Sequence, residues 1–237
     1  MPTTTPSSRR RSLAVKAERQ PTLAEQVTER LREEIISGQL VPGSMMAEIP
    51  TAERLGVSRV PVREATLVLE RDGLLVFEGR GRCRVRALAP RDFQEIYDVR
   101  LLIEQESFRL AAKRHRDEDL AAMEANIQKM SRARSMGQTT LLDIEFHDLI
   151  VATSGHTRLQ HLWRTMRGQI QLFTAALQRE VFFVMTTVRE AAVMAHRDCL
   201  KVIATRDEEA ASRSAADHLV AWREWLETHG TGKEVQQ

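Results

Sequence analysis

The feature that most constrains the fold is a series of long helical patterns that fills the chain from about residue 90 onward. Apolar residues recur at helical spacing, and Gly137, Ser154-Gly155 and Arg206-Asp207 supply the breaks between neighbouring patterns. No strand-like alternation of apolar and polar residues interrupts this half of the sequence. The predicted helices cover residues 91–115, 117–134, 139–153, 157–182, 187–205 and 207–228. Long helices joined by short breaks predict an antiparallel, all-α bundle.

Composition and cysteine usage limit the class of protein. Hydrophobic residues make up 42% and charged residues 29% of the 237 residues, as in an ordinary globular protein. Cys83 and Cys199 are too few and too far apart for a disulfide framework, which favours a reducing compartment. No apolar run reaches the length of a membrane span, and no hydrophobic segment follows the basic N-terminus. We therefore expect a cytoplasmic protein without a membrane partner.

The N-terminal part of the chain has a different character. Residues 1–20 are rich in Pro, Thr, Ser and Arg and predict a disordered basic tail, which either attracts phosphates or has no role. Order is predicted to begin at Thr22, which forms a capping-box pattern with Glu25, and the first helix stops at Gly38. Residues 1–86 contain 15 Lys and Arg against 11 Asp and Glu. This small basic excess suits a module that neutralises phosphates, although differences of this size are common.

A helix-turn-helix pattern lies in the middle of this module. Gly56 can adopt the positive φ of a tight turn, and Ser58 is suited to cap the next helix by accepting from the Val60 N–H. Arg59 and Arg63 stand four residues apart and share a face near the N-terminal end of that helix. Side chains in this position read bases in the major groove. The pattern therefore predicts a recognition helix, although a solvated helix face would also carry these charges.

A basic hairpin is predicted directly after the recognition helix. Its strands, at residues 74–78 and 82–86, flank the tip Gly79-Arg80-Gly81. The second strand alternates, with Arg82, Arg84 and Arg86 on one face and Cys83 and Val85 on the other. A solvated hairpin would explain this piece alone, but the succession of helix, turn, helix and basic hairpin favours a winged helix-turn-helix that contacts phosphates or the minor groove.

Three short motifs in this module resemble the gluconate-repressor (GntR) family of transcriptional regulators. They are LGVSR at residues 55–59, PVREA at residues 61–65 and DGL at residues 72–74. The resemblance extends over the whole chain, because the helical half is similar to the FCD effector domain of the FadR-like branch. Pattern and resemblance together predict a mainly α protein, with a winged helix-turn-helix domain at residues 21–88 and an all-helical effector and dimerisation domain at residues 89–230. Disordered tails are predicted at residues 1–20 and 231–237.

The resemblance implies a function and a set of DNA contacts. Members of the family bind palindromic double-stranded operator DNA as homodimers, so we expect a ligand-responsive transcriptional regulator that acts as a repressor. By family pattern, the DNA contacts fall on Ser58, Arg59, Val60, Arg63, Arg80 and Gly81. The chain departs from the pattern at Ile49, where many members have Arg, and at Pro50-Thr51. We therefore expect no DNA contact from that short helix, which is predicted over residues 52–55.

The helical half also contains a candidate metal-binding pair. Asp143 and His147 lie four residues apart, so one helix face presents both side chains and can hold one ion. Such pairs are common, but the apolar neighbours of this pair indicate a buried helix, in which a carboxylate needs a cation or hydrogen-bond donors. His196 and His218 also lie in apolar helical surroundings, where a lone histidine is most often structural.

The resemblance implies that these residues converge. Metal-binding FCD domains place an Asp-x-x-x-His pair and two later histidines around one divalent ion, a pattern matched by Asp143, His147, His196 and His218. This ligand set suits one transition-metal ion per protomer, zinc first, with nickel, manganese or iron as alternatives. Family members sense small organic and sugar acids at such a site, and Arg100 matches a family arginine that faces it and can pair with a carboxylate effector. An exposed helix position or a salt bridge to Glu104 would explain Arg100 equally well.

Two other functions fit parts of the same sequence. A metal-dependent hydrolase fused to a DNA-binding domain would need a general base beside the ion. Glu145 stands only two residues from Asp143 and therefore points away from that helix face. An architectural DNA binder without an effector would use the helical half for dimerisation alone. We assign no catalytic residue and predict that the chain is not an enzyme.

Overall fold

A computed structural model describes residues 20–79, 81–181 and 185–229 of the chain. The predictions for the N-terminal tail up to residue 19, for Arg80 and for the C-terminal tail lie outside the described residues. The N-terminal module contains α1 (Leu23–Ile36), β1 (Met45–Ala47), α2 (Glu48–Leu55), α3 (Arg59–Arg71), β2 (Leu75–Gly79) and β3 (Arg82–Val85). Helix α1 begins at the predicted capping box: the Thr22 hydroxyl accepts from the Glu25 amide, and the Glu25 carboxylate accepts from the Thr22 amide.

Three strands form one antiparallel sheet in the order β1-β3-β2. Cys83 of β3 lies between Met46 of β1 and Phe77 of β2. Cys83 and Val85 are buried, as the alternation in the second hairpin strand predicted. Strand β1 was not predicted, because three residues are too few to show a period and its partner lies far along the chain.

Helix α2 begins earlier than predicted. The sequence placed it at residues 52–55, but the helix runs from Glu48 to Leu55 and includes Pro50. Pro50 lies in the first turn, where the backbone N–H has no partner within the helix, so its missing N–H costs little. Gly56 then ends the helix in the left-handed conformation, with φ of 68°.

The second half of the chain is the predicted helical bundle. It contains α4 (Pro90–Arg114), α5 (Asp117–Ser131), α6 (Met136–Thr153), α7 (Thr157–Val181), α8 (Met185–Ala204), α9 (Glu208–His218) and α10 (Val220–His229). The single helix predicted over residues 207–228 is wrong, because the chain turns at Leu219. Leu219 is fully buried, and its amide bonds to the Ala216 carbonyl three residues back, which tightens the end of α9.

The two halves pack against each other through α7. Leu172 and Ala175 of this helix belong to the same buried cluster as Leu31 and Leu69 of the N-terminal module. One helical turn earlier, Gly168 faces the backbone of the Asp72-Gly73 turn that follows α3. The helical half is therefore in direct contact with the end of the predicted recognition helix. None of the described helices has the length and apolar character needed to cross a membrane.

Candidate metal centre and DNA-binding surface

The four predicted metal ligands come together in the structure. Asp143 and His147 project from α6, His196 from α8 and His218 from the last residue of α9. One potential ligand atom from each of these side chains lies within 4.8 Å of the others. The Nε2 atoms of His147 and His218 are 3.2 Å apart, and Nε2 of His196 is 3.4 Å from Oδ1 of Asp143. Three helices that are distant in sequence therefore bring one carboxylate and three imidazoles to one point.

The polar atoms of this cluster fit a bound cation. His147 and His196 are fully buried, and Asp143 is 7% exposed. Within the described part of the chain, no hydrogen-bond partner meets Oδ2 of Asp143, Nε2 of His196 or Nδ1 of His218. Buried polar atoms are rarely left without a partner, and a divalent ion would satisfy atoms of this chemistry. The Ala192 carbonyl lies 2.6 Å from Nδ1 of His196 and can accept its proton, which leaves Nε2 available for a metal.

Burial also keeps the three histidines in the neutral form that binds metal. It is the main cause that lowers the pKa of His196 and holds the pKa of His147 and His218 well below 6.5. The charge of Arg100 acts in the same direction on the pKa of His147, and a proton on either of the other two imidazoles would lower the pKa of His218 further. Because metals bind the neutral imidazole, the site requires little deprotonation at neutral pH.

Arg100 lies beside the cluster and is 1% exposed, which excludes an ordinary surface arginine. Its Nε donates to Oε1 of Glu104, so the salt bridge weighed in the sequence analysis is present. Its Nη1 is 3.4 Å from the Thr174 hydroxyl, and its guanidinium carbon is 4.0 Å from the centre of the Trp222 ring. Trp222 reaches this position because the chain turns between α9 and α10. The guanidinium is thus held on three sides.

Sequence reasoning missed Glu104 as part of the site. This residue is fully buried, and its second oxygen, Oε2, lies 3.0 Å from Nδ1 of His147. The spacing from Arg100 to Glu104 indicated an ion pair, but on an amphipathic helix such a pair is usually a surface feature. Nothing in the sequence showed that this face of α4 lies against the histidines of α6 and α9.

Polar side chains of α7 line the same part of the interior. Gln171, Thr174 and Gln178 are buried and recur at the spacing that places them on one helix face. Oε1 of Gln178 accepts from the Thr140 hydroxyl at 2.6 Å, whereas both amide atoms of Gln171 lack a hydrogen-bond partner among the described residues. Gln171 lies one helical turn before Thr174, which contacts Arg100, and unpartnered buried amide atoms are typical of a site that binds a polar ligand.

The predicted DNA-reading residues occupy the exposed N-terminal end of α3. Ser58 is the N-cap residue as predicted, but its hydroxyl makes no capping bond, so the expected bond to the Val60 amide is wrong. Arg59, Val60 and Arg63 are exposed. The opposite face of α3 is fully buried through Val62, Ala65 and Leu69, as the apolar spacing predicted. This packing fixes which side of the helix faces outward.

Part of the basic wing is tied to the protein. The Arg84 guanidinium bonds to Glu78 and to the Gly43 carbonyl, and Arg86 bonds to the Gly73 carbonyl at 2.6 Å. Arg82 is exposed and the Arg84 side chain is still 44% exposed, so the predicted outward face is retained, although Arg84 and Arg86 already have partners within the protein. A bond to a backbone carbonyl therefore restrains the Arg84 guanidinium without removing it from solvent.

Glu48 connects the recognition helix to the wing. Its carboxylate lies 3.4 Å from an Arg59 guanidinium nitrogen, and its backbone amide donates to the Gly81 carbonyl. Gly81 has φ of 69°, and a Cβ atom at this position would lie 3.3 Å from the Glu48 carboxylate. A glycine thus allows the hairpin tip to approach α2 closely.

Comparisons with known proteins agree with this architecture. Residues 23–85 match the gntR family of bacterial regulatory proteins, and residues 95–221 match the FCD domain. The chain is 28% identical to the Bacillus subtilis HTH-type transcriptional regulator YdhC, over 80% of this chain and 84% of the relative. It is 27% identical to the gluconate operon transcriptional repressor of Bacillus licheniformis, over 76% and 74%.

A solved structure supports the fold independently. The structure of Escherichia coli McbR/YncC superposes with a TM-score of 0.71 at 23% identity, over 88% of this chain and 99% of that one. Its likeness covers both the DNA-binding module and the helical bundle. The chain therefore belongs to the gntR family of bacterial regulatory proteins and is a DNA-binding transcriptional regulator with an FCD effector domain.

Proposed function

We propose that this regulator is a homodimeric repressor that binds one divalent transition-metal ion per protomer and senses a small carboxylic acid beside it. The observation that carries the proposal is the convergence of Asp143, His147, His196 and His218, whose buried polar atoms include several without a partner in the described structure. The DNA-binding domain would cover residues 21–88 and the effector domain residues 89–230.

The metal would be held by the carboxylate of Asp143 and the imidazoles of the three histidines. Ligands of this type suit zinc first, with nickel, manganese and iron as the other candidates. When bound, the ion supplies a positively charged position at which a carboxylate oxygen can be held. The Ala192 carbonyl can accept from Nδ1 of His196 and orient that imidazole from behind.

The effector would be an acid because the interior next to the ligand cluster offers a fixed guanidinium. Arg100 is held by Glu104 and Trp222, which leaves donors of its planar fork available for a second carboxylate. The unpartnered amide of Gln171 would recognise a further polar group of the ligand. One relative is a repressor of a gluconate operon, and gluconate is a sugar acid, which agrees with this ligand class.

The operator would be a palindrome that receives one recognition helix in each half-site. Ser58, Arg59, Val60 and Arg63 would contact it from α3, and Arg80 and Gly81 from the wing. The wing strand β3 ends at Val85 and α4 begins at Pro90, so Arg100 lies on the first helix after the DNA-binding module. A shift of α4 on acid binding would reorient that module.

A binding role fits the site better than hydrolysis. Glu145 is 45% exposed and lies 3.7 Å from Lys129, so it faces away from the ligand cluster. Glu104 is near the cluster, but its two oxygens already face Arg100 and His147, so neither is free to act as a general base. A purely architectural role would not explain why buried ligand atoms of the cluster lack hydrogen-bond partners in the described structure.

The test combines metal analysis with a thermal-shift screen. Protein purified without chelator should contain about one equivalent of a transition metal, and small carboxylic acids should raise the melting temperature of the metal-loaded protein. Asp143→Asn should lose the metal, whereas His161→Ala, which removes an exposed histidine of α7, should retain it. Less than about a tenth of an equivalent after incubation with zinc or nickel would exclude a metal site.

A further inference from the structure

Glu104 has no place in the predicted ligand set, yet it lies between the two halves of the proposed site. It is fully buried, one helical turn after Arg100 on α4. Its Oε1 accepts from Nε of Arg100, and its Oε2 lies 3.0 Å from Nδ1 of His147. One carboxylate therefore contacts both the guanidinium proposed for the effector and an imidazole proposed for the metal.

The contact with His147 joins two atoms that have no other partner. Neither Oε2 of Glu104 nor Nδ1 of His147 forms an aligned hydrogen bond within the described residues, although both are buried. They lie 3.0 Å apart, which is within hydrogen-bonding distance. The far side of the ring presents Nε2 to the ligand cluster, 3.2 Å from Nε2 of His218.

We infer that Glu104 is a positioning residue for the metal centre. Its carboxylate accepts the Nδ1 proton of His147 and so leaves the Nε2 lone pair for the ion. Arg100 holds this carboxylate in place, since it donates to Oε1 and its guanidinium is itself held by Thr174 and Trp222. Metal binding and effector binding thus share one buried anion. This inference rests on the function proposed above, because it assumes that the histidines hold a metal.

The first experiment measures the zinc affinity of the full-length protein by competition with a chromophoric chelator. Glu104→Gln retains the size and an acceptor oxygen but removes the charge, and it should weaken zinc binding by about 10–100-fold. Glu106→Gln is the matched control, because it removes the same charge from α4 at a side chain that is 42% exposed and paired with Arg109. The control should bind zinc as tightly as the wild type.

The second experiment needs no variant and holds even if Glu104→Gln fails to fold. A long-range proton–nitrogen spectrum of the zinc-loaded wild type should show His147 protonated at Nδ1 and bound to zinc through Nε2. Ligation through Nδ1 would overturn the inference, as would equal zinc affinity in wild type and Glu104→Gln. Failure of the wild type to bind zinc would instead refute the proposed function, so the two failures are distinguishable.

Discussion

The contact between α7 and the end of the recognition helix leads to a sharp prediction for Gly168→Ala. A Cβ atom at Gly168 would lie 1.7 Å from the Asp72 carbonyl oxygen, 2.8 Å from its carbonyl carbon and 3.3 Å from Cγ of Leu74. The clash is with backbone, so no side-chain rotation relieves it. Asp72 is also the C-cap residue of α3 and is held by Arg32 at 2.7 Å. Helix α7 must therefore move away from the turn by more than about 1 Å.

Two effects of opposite sign set the magnitude. Alanine favours the helix over glycine by about 1 kcal/mol in a helix interior. Overpacking a close contact costs roughly 1–3 kcal/mol, and a clash with backbone belongs at the upper end of that range. The movement also loosens Leu172 and Ala175, which α7 contributes to the core of the DNA-binding module. We expect a net loss of about 1–2 kcal/mol in the free energy of unfolding.

Urea unfolding measures this loss, and amide hydrogen exchange locates it. Exchange should accelerate in residues 72–74 and at the facing turn of α7 if the contact opens. Gly137→Ala is the matched control, because this glycine is also helical and faces the other module, but its added Cβ would lie 3.6 Å from Ser37 Cβ, an ordinary contact. The control should be neutral or slightly stabilised. Equal stability and equal exchange in the two variants would refute the proposed contact.

Three further predictions concern DNA, pH and effector. Arg63→Ala should lose about 1–3 kcal/mol of specific operator binding in a gel-shift titration. The control Arg213→Ala removes an exposed arginine from α9 and should bind the operator as tightly as the wild type. Unchanged affinity in Arg63→Ala would remove Arg63 from the contact set. Burial lowers the pKa of His147, His196 and His218 below 6.5 in the folded protein. Near and below that pH, the unfolded chain therefore binds more protons than the folded chain does. The metal-free protein should therefore lose stability as pH falls from about 7 through 6, and flat urea midpoints over this window would contradict the assigned burial. An acid that weakens operator binding should bind about 5–150-fold more weakly to the operator complex, and equal calorimetric affinities would show that it is not the signal.

Local patterns predicted the parts of the fold that depend on neighbouring residues. The capping box at Thr22, the buried face of α3 and the alternation around Cys83 all follow from periods of two or three to four residues. The four ligand positions were predicted only through the resemblance, since spacing alone cannot show that α6, α8 and α9 converge. Strand β1 and the turn at Leu219 were missed because each depends on a partner that is distant in sequence.

The same limit explains why Glu104 was overlooked. An Arg and a Glu four residues apart are most often a solvated pair, and only the packing of α4 against α6 reveals that this pair is buried beside His147. The sequence indicated the ion pair between Arg100 and Glu104, but it could not show that the pair is buried. Buried polar atoms without a partner, read from the structure, identified the residue instead.

Helix α7 connects the proposed pocket to the recognition helix more directly than the linker before α4 does. Thr174 contacts Arg100, and Gly168 contacts Asp72, so the two contacts are six residues, or about 9 Å, apart on one continuous helix. A displacement of α7 at Thr174 would therefore be transmitted along the helix toward the contact at Asp72. Helix α4 offers a second connection, because it carries Arg100 and starts five residues after the wing strand ends. The two helices reach different parts of the DNA-binding module, α7 the end of α3 and α4 the wing. If Arg100 binds the effector as proposed, both helices would carry the change toward the DNA-binding module, one to the end of α3 and the other to the wing.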